Sequence, residues 1–152
     1  MDNDILANAP FWAAFIGFFG AQFLKPFITL AVEHIWTPNV AFSTGGMPSS
    51  HTAGVIALIV AVGMSVGCGT VDFAICCCFG AITIHDAMGI RRAAGKQAEV
   101  INEWSSILSD IHKDGRFTQE HLKTMLGHSF SQVFGGAVFG AVVGFAVTYF
   151  FR

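Results

Sequence analysis

The stretch that decides the fold is Phe130 to Phe151, FSQVFGGAVFGAVVGFAVTYFF, which contains no charged side chain. A helix of about 20 apolar residues crosses the roughly 30 Å hydrocarbon core of a bilayer, and this run has that length. Glycine recurs in it at four-residue spacing, which lets helix backbones approach closely in lipid. The stretch therefore predicts a membrane-spanning helix rather than the core of a soluble domain.

Three further apolar runs precede this stretch, and together the four predict an all-α, multi-pass membrane protein. Within residues 10–35 only Lys25 and Glu33 are charged, and residues 52–68 carry no charge. We expect an integral membrane bundle of about four transmembrane helices that forms a single membrane-embedded domain over residues 1–152. The predicted spans cover residues 10–35, 50–68, 71–88 and 130–151.

The composition agrees with this interpretation and argues against a soluble domain or a nucleic-acid partner. The chain has 152 residues, of which 53% are apolar and 12% are charged, and its mean hydropathy is +0.60. A soluble domain carries roughly 25% charged residues, about twice this share. The formal net charge is −2, so there is no basic surplus to neutralise the phosphates of DNA or RNA. We expect membrane lipids, and no nucleic acid, as partners.

The charges are concentrated between Arg91 and His128, a segment that holds six of the eight Lys and Arg residues and five of the ten acids. We interpret it as a polar excursion between the third and fourth spans. Within it, Gln97–Ile111 is predicted to form an amphipathic helix, which either lies on the membrane or covers a site as a lid. A turn at residues 113–116 and a short helix capped by Thr118 are predicted to follow. The apolar positions of the amphipathic helix are Ala98, Ile101, Trp104 and Leu108.

Four spans place the loop at residues 37–50 and the polar excursion on one side of the membrane, with both ends of the chain on the other. The excursion side carries at least six Lys and Arg residues, whereas the opposite side carries only Arg152. Cytoplasmic loops are enriched in Lys and Arg. We therefore expect the excursion side, and any active site on it, to be cytoplasmic.

Neither the cysteines nor the glycines indicate a ligand site. Cys76, Cys77 and Cys78 are consecutive, so on a helix they point about 100° apart and do not converge on one ion. We expect no metal site and no cofactor. The small residues at four-residue spacing are explained by close packing within one bundle, with a homo-oligomer as the alternative.

A first polar group, residues 42–51, lies directly before the second span on the expected site side. Its two glycines let the backbone approach a ligand closely, and either of its paired serines can cap the following helix. The free N–H groups at that helix start favour an anion, which the histidine in the first turn would face. A capped helix start with an interfacial histidine is the alternative. The residues concerned are Gly45, Gly46, Ser49, Ser50 and His51.

A second polar group follows the third span. Arg91 and Arg92 offer planar guanidinium groups that match phosphate oxygens, and Asp86 lies close by in sequence. The alternative is that these arginines only set topology beside lipid headgroups. Adjacent helical residues face different ways, so the sequence leaves open which arginine faces a ligand.

A third polar group precedes the fourth span. His128 and Gln132 are four residues apart and share a helix face. The amide can therefore hold one imidazole nitrogen and leave the other free as a nucleophile or base. Lys25 joins this set, because an unpaired cation inside a span is costly and indicates function, with snorkelling to the interface as the alternative.

Taken together, these motifs resemble the divergent type-2 phosphatidic acid phosphatase family, which is related to acid phosphatases and vanadium-dependent haloperoxidases. The resemblance rests on residues 44–51 (TGGMPSSH), residues 86–98 (DAMGIRRAAGKQA) and residues 126–128 (LGH), followed by Val133 and Gly136. It covers nearly the whole chain, and the three motifs in this order are specific.

The resemblance implies an α-helical bundle that hydrolyses phosphate esters without a metal. It makes His128 the nucleophile that forms a phosphohistidine and His51 the acid that protonates the leaving oxygen. The implied phosphate-binding set is Lys25, Gly45, Gly46, Ser49, Ser50 and either Arg91 or Arg92.

The chain departs from the family pattern at several of these positions. Gln132 stands where the superfamily has an acid that orients the nucleophile, and an amide accepts an imidazole N–H but does not stabilise an imidazolium as a carboxylate does. Either Asp86 supplies that charge from the neighbouring span, or the activity is weak. Ser50 replaces a glycine, although its hydroxyl can donate to phosphate. No Ser-Arg pair precedes His128 at the usual distance.

The sequence therefore predicts an enzyme, an integral membrane phosphatase that acts on a lipid phosphate or diphosphate of the phosphatidic acid or polyprenyl diphosphate type. One alternative is a non-catalytic protein that binds phosphate or lipid headgroups with a decayed phosphatase site, which Gln132 favours. Another is a small transporter or assembly subunit, which the intramembrane Lys25 and the glycine-rich spans favour.

Overall fold

The computed structural model describes residues 5–43, 45–111, 121–124 and 126–151, and no strand occurs in these ranges. A 3-10 helix, Pro38–Phe42, lies between the first two α-helices. The α-helices are α1 (Ala9–Glu33), α2 (Ser50–Val66), α3 (Val71–Met88), α4 (Ile90–Ile111) and α5 (Phe130–Phe150).

Three stretches are long and apolar enough to cross a membrane: α1, α5 and the continuous run Val71–Ile111, which contains α3. Helix α2 is also apolar but has only 17 residues. The four apolar helices begin and end within two residues of the predicted spans. The prediction of an all-α membrane bundle is confirmed.

Helix α2 lies at the centre of the bundle and packs against α1, α3 and α5. Small residues make this possible, because a Cβ built at Gly17 of α1 would lie 2.9 Å from both the Ala53 carbonyl oxygen and the Ala57 Cβ. Cβ atoms built at Gly140 and Gly144 of α5 would meet the carbonyl oxygens of the same two residues, Ala53 and Ala57, at still shorter distances. The glycine spacing in the sequence therefore serves backbone contact within one bundle.

Helix α4 differs from the prediction in where it begins and in which residues it buries. It starts at Ile90, one residue after α3, rather than at Gln97, because the Ala93 N–H donates to the Gly89 carbonyl and carries the helical pattern through the arginines. Ala98 is buried, whereas Ile101 and Trp104 are exposed. The predicted apolar stripe is therefore divided between two faces of α4.

The segment after α4 is described only in part. The predicted turn at 113–116 and the predicted cap Thr118 lie outside the described residues, and residues 121–124 are not helical. Asn102 of α4 holds this segment through two hydrogen bonds: its amide donates to the Leu122 carbonyl at 2.9 Å, and the Leu122 N–H donates to its Oδ1 at 2.9 Å. Residues 121–124 are therefore held against α4.

Candidate active site

His128 is fixed at the junction between the end of α3 and the start of α5. Its backbone N–H donates to the Ala87 carbonyl at 2.9 Å, and only 2% of the residue is exposed. Gly127 before it has φ +79°, and a Cβ there would lie 2.9 Å from the Ala87 carbonyl oxygen and closer still to the Arg92 backbone. Only glycine suits both that conformation and that approach. The sequence analysis did not assign this role to Gly127.

Gln132 and Ser129 determine which nitrogen of His128 carries the proton. The Ser129 N–H donates to Gln132 Oε1 at 3.1 Å, and His128 Nδ1 lies 3.1 Å from the same oxygen. A backbone N–H only donates, so the shared atom is the amide oxygen and Nδ1 carries the hydrogen. The other ring nitrogen, Nε2, is therefore the one with the free lone pair.

The same pair of residues caps α5. The Gln132 N–H donates to the Ser129 hydroxyl at 3.4 Å, which completes a reciprocal capping box with the bond from the Ser129 N–H. The amide that orients the imidazole is thereby held by the helix start itself. The predicted contact between residues 128 and 132 is present in the structure.

His51 lies in the first turn of α2, beside His128. The two ring centroids are 6.3 Å apart, and an edge-to-face contact with Phe18 at 5.4 Å holds His51 from the α1 side. Helix packing therefore brings together two histidines that are 77 positions apart in the sequence (128 − 51).

A small cavity of about 30 Å³ joins the histidines to the end of α3. Arg91 Nε lies 2.5 Å from Asp86 Oδ2 at its wall, so the acid binds the arginine and Gln132 binds the imidazole. Thr83 also contributes to the wall, although the sequence analysis did not single it out. The lining consists of His51, Thr83, Asp86, Ala87, Arg91, Gly127 and His128.

The cavity separates the two arginines that the sequence left equivalent. Arg91 lines it, whereas Arg92 lies outside the lining, and its backbone packs against Gly127. The two residues are about 100° apart around α4, so one faces the site when the other does not. Arg91 is therefore the arginine placed to meet a ligand.

Lys25 lies deep in the bundle rather than at its surface. It is fully buried, and its ammonium donates to the Ser43 carbonyl at 3.0 Å, which also accepts from Gln22 at 3.0 Å. A Cβ at Gly46, where φ is +86°, would lie 3.7 Å from the Lys25 side chain. Lys25 does not line the small cavity, but it contacts the loop before α2 at Ser43 and Gly46.

The serines before α2 connect that loop to α5. Ser49 caps α2, since its hydroxyl accepts the Thr52 N–H at 3.4 Å and the Thr52 hydroxyl at 3.0 Å. Its own N–H donates to the Gln132 carbonyl at 2.9 Å, which joins the starts of α2 and α5. Ser50 and Gly45 are buried beside it, and neither lines the small cavity.

Burial sets the protonation state of His128. Desolvation lowers its pKa below the ordinary value, the hydrogen bond that Nδ1–H donates to Gln132 opposes this shift, and the positive charge of Lys25 adds to it. The imidazole is therefore neutral at neutral pH, as a nucleophile must be. Among the described residues, no group of three or more His, Cys, Asp or Glu side chains is placed to hold a metal ion.

The fold defines the class of the protein: a helical membrane bundle with two histidines and an arginine together at one end. Comparison with known proteins then identifies the family. Residues 6–143 match the divergent PAP2 family, and the chain belongs to that family. It is also 35% identical, over 156 aligned positions, to the uncharacterized membrane protein YuiD of Bacillus subtilis (strain 168). That alignment covers 97% of this chain and 99% of the relative. No solved structure matches the chain significantly.

Membership of this family relates the chain to phosphatases at the level of the fold. The resemblance that the three sequence motifs indicated is confirmed, and so is the expectation of a membrane protein. The roles of the individual site residues stay predictions.

Proposed function

We propose that this protein is a metal-independent phosphatase that hydrolyses a lipid phosphate or diphosphate through a phosphohistidine intermediate. The observation that carries the proposal is the hydrogen bond from His128 Nδ1 to Gln132 Oε1, with the same oxygen held by the Ser129 N–H. This arrangement leaves Nε2 unprotonated on a buried ring beside a second histidine. Phosphoryl transfer needs such an in-line nucleophile and a proton for the leaving group.

The two histidines have complementary roles in the proposed reaction. His128 Nε2 attacks phosphorus, the bond from phosphorus to the ester oxygen breaks, and its electron pair goes to that oxygen. The oxygen takes a proton from the imidazolium form of His51, which leaves that ring neutral. In the second step water attacks the phosphohistidine, and His51 accepts the water proton. The P–N bond then breaks, which releases phosphate and restores neutral His128.

The phosphate oxygens are held by positive and N–H groups around the histidines. Arg91 supplies a planar guanidinium at the cavity wall, and the start of α2 supplies its dipole and free N–H groups. Lys25 adds a buried positive charge behind Gly45 and Gly46. The hydroxyls of Ser49 and Ser50 are further candidates for this set.

Substrate binding is expected to change the partner of Arg91. Its side chain lines the cavity beside the two histidines. Arg91 is half-exposed, and Asp86 is its one ion-pair partner among the described residues. In the proposed mechanism the phosphate replaces Asp86 as the partner of Arg91.

The location of the site favours a lipid substrate. It lies where α3 ends and α2 and α5 begin, at the membrane-interface end of apolar helices. A lipid phosphate sits at that level, with its chains alongside the bundle. By the distribution of Lys and Arg, this end faces the cytoplasm.

A non-catalytic role in binding phosphate or lipid headgroups is the second candidate. It is favoured by Gln132, because a neutral amide orients the imidazole but does not stabilise its positive form. Such a protein would bind the phosphate mimic vanadate without turnover.

The test is phosphate release from phosphatidic acid and undecaprenyl diphosphate in detergent, with chelator present. We expect release by the wild-type chain and its loss in His128→Ala. His85→Ala is the matched control, because His85 is exposed on α3 and lies outside the cavity lining. Undiminished release in His128→Ala would refute the nucleophile, and vanadate binding without release in the wild type would favour the second candidate.

A further inference from the structure

Helix α4 carries three distinct faces, which become apparent when its residues are placed at 100° intervals around the helix axis. One face is small and buried, one is charged, and one is apolar and exposed. The small face consists of Gly95, Ala98, Asn102 and Ser105. The charged face consists of Arg92, Lys96, Glu99, Glu103 and Asp110. The apolar face consists of Ile90, Val100, Ile101, Trp104, Ile107 and Ile111.

The small face is the one that meets the protein. A Cβ at Gly95 would lie 2.7 Å from the Thr124 carbonyl oxygen, and Asn102 is joined to Leu122 by two hydrogen bonds. Residues 121–124 and Leu126 therefore occupy this side of α4. The apolar face is turned away from it by more than a right angle and points outward from the bundle.

We propose that α4 lies in the plane of the membrane interface, with this apolar face inserted into the lipid of the site side. Lipid is the partner of this face because α4 directly follows a membrane span. It begins one residue after α3, whose exposed side chains Ile75, Phe79 and Ile82 are large and apolar. The hydrocarbon just below the bilayer surface is thus the apolar environment nearest to Ile90 and its neighbours. Trp104, which is 61% exposed, is a residue type enriched at that depth.

The remaining faces fit the same orientation. Helices that lie in the interface combine an apolar face with a strongly charged one, and α4 does so over 22 residues. Its basic residues are confined to its first two turns, where they lie closest to the end of α3 and so to the phosphate level of the bilayer. Insertion of α4 would in turn hold residues 121–124 and Leu126, and with them His128, at the height of the lipid phosphates.

Trp104 provides a direct test in the intact protein. The chain is reconstituted in phosphatidylcholine vesicles with or without bromine on the acyl chains, and the emission of Trp104→Phe is subtracted from that of the wild type to isolate Trp104. We expect brominated lipid to reduce the Trp104 emission by about twofold or more, because an interfacial helix buries its apolar face about 5–10 Å below the surface. Aqueous acrylamide should have little effect.

Two lysine substitutions at adjacent positions serve as a matched pair. Ile107→Lys charges the apolar face and should relieve most of the quenching by brominated lipid, whereas Ser106→Lys, which points toward the charged face, should leave it unchanged. Equal emission in the two lipids would overturn the proposal. Strong quenching by acrylamide would then place the face in water. Resistance to both quenchers would show that protein covers it, and cross-linking would distinguish a lid from a second copy.

Discussion

At the scale of single residues, the chemistry of the site depends on one amide oxygen. Gln132 Oε1 accepts hydrogen bonds from both the Ser129 backbone and His128 Nδ1. The same atom therefore caps the start of α5 and determines the tautomer of His128. An acid at this position would keep both contacts and add a negative charge. The neutral amide therefore orients His128 without the negative charge that would stabilise a positive imidazole.

Gln132→Glu should strengthen the site. A carboxylate within hydrogen-bond distance favours the charged imidazole, so the pKa of His128 should rise by roughly one unit or more relative to the wild type. If the chain is a phosphatase, phosphate release should rise as well, because the positive imidazole of the intermediate is better stabilised. The pKa is measured by NMR titration of ¹⁵N-labelled histidine.

Gln132→Ala is the control for this change, since it removes both contacts and should lower phosphate release. An unchanged pKa of His128 in Gln132→Glu would mean that the carboxylate does not face the ring, against the structure.

His128 should also make the stability of the protein depend on pH. Its pKa is lowered in the folded state by burial, so below about pH 6.5 the unfolded chain binds a proton that the folded chain does not. The free energy of unfolding should therefore fall as the pH drops below that value, and the loss is complete below the folded-state pKa. Unfolding in mixed micelles with dodecyl sulfate measures it.

His128→Asn is the comparison for the pH dependence. Without the titrating ring, the unfolding free energy should fall less between neutral and acidic pH than it does in the wild type. Identical slopes in the two proteins would assign the pH dependence to other groups.

At the scale of elements, the α2–α5 contact depends on glycines whose neighbours are backbone. A Cβ at Gly140 would lie 2.9 Å from the Ala53 Cα, so Gly140→Ala must push α5 away from α2. We expect a loss of roughly 1–3 kcal/mol in the free energy of unfolding, as for other overpacked contacts. Dodecyl sulfate titration again measures the change.

Gly135→Ala is the matched control on the same helix. Its Cβ would meet the end of the flexible Met47 side chain at 3.0 Å, which can move aside, so the cost should be small. Replacing glycine by alanine raises helix propensity equally at both positions, so equal losses would show that the backbone contact at Gly140 does not determine the effect.

The segment that delivers His128 to the site depends on Asn102. Asn102→Ala removes both hydrogen bonds to Leu122 and should weaken the attachment of residues 121–124 to α4 by about 1–3 kcal/mol, while the packing between the apolar spans is unchanged. Amide hydrogen exchange should accelerate at Leu122 and at His128. Asn102→Asp, which retains the acceptor for the Leu122 N–H, should have a smaller effect, and uniform acceleration across the spans would contradict the local role.

These elements also show what sequence alone determines. The spans were predictable because uncharged runs of membrane length have few other folded states. The pairing of His128 with Gln132 was predicted from their four-residue spacing, but His128 precedes the helix, and the contact forms because the capping box turns the Gln132 side chain back past Ser129. The start of α4 and the position of Arg91, rather than Arg92, in the cavity lining were not predictable, since both depend on helix phase across Gly89 and on packing that distant residues impose.

At the scale of the whole molecule, the helix order brings the candidate site together at one end. Helices α1 and α3 end there, and α2 and α5 begin there, so both histidines, Lys25 and Arg91 share one side of the membrane. The turn between α2 and α3, residues 67–70, lies at the opposite end. It carries an exposed thiol, Cys68. Chemical labelling of Cys68 can therefore determine the orientation of the protein in the membrane.

Cys68 should react with a membrane-impermeant maleimide in intact cells if the site faces the cytoplasm. The expectation rests on the six Lys and Arg residues of the site side, because positive loops are retained inside. Cys68→Ser should abolish the labelling, since Cys76, Cys77 and Cys78 lie within α3, in the apolar part of the bilayer. Labelling only after the cells are permeabilised would reverse the orientation. It would place the histidines, and any lipid phosphate that they hydrolyse, on the outer leaflet.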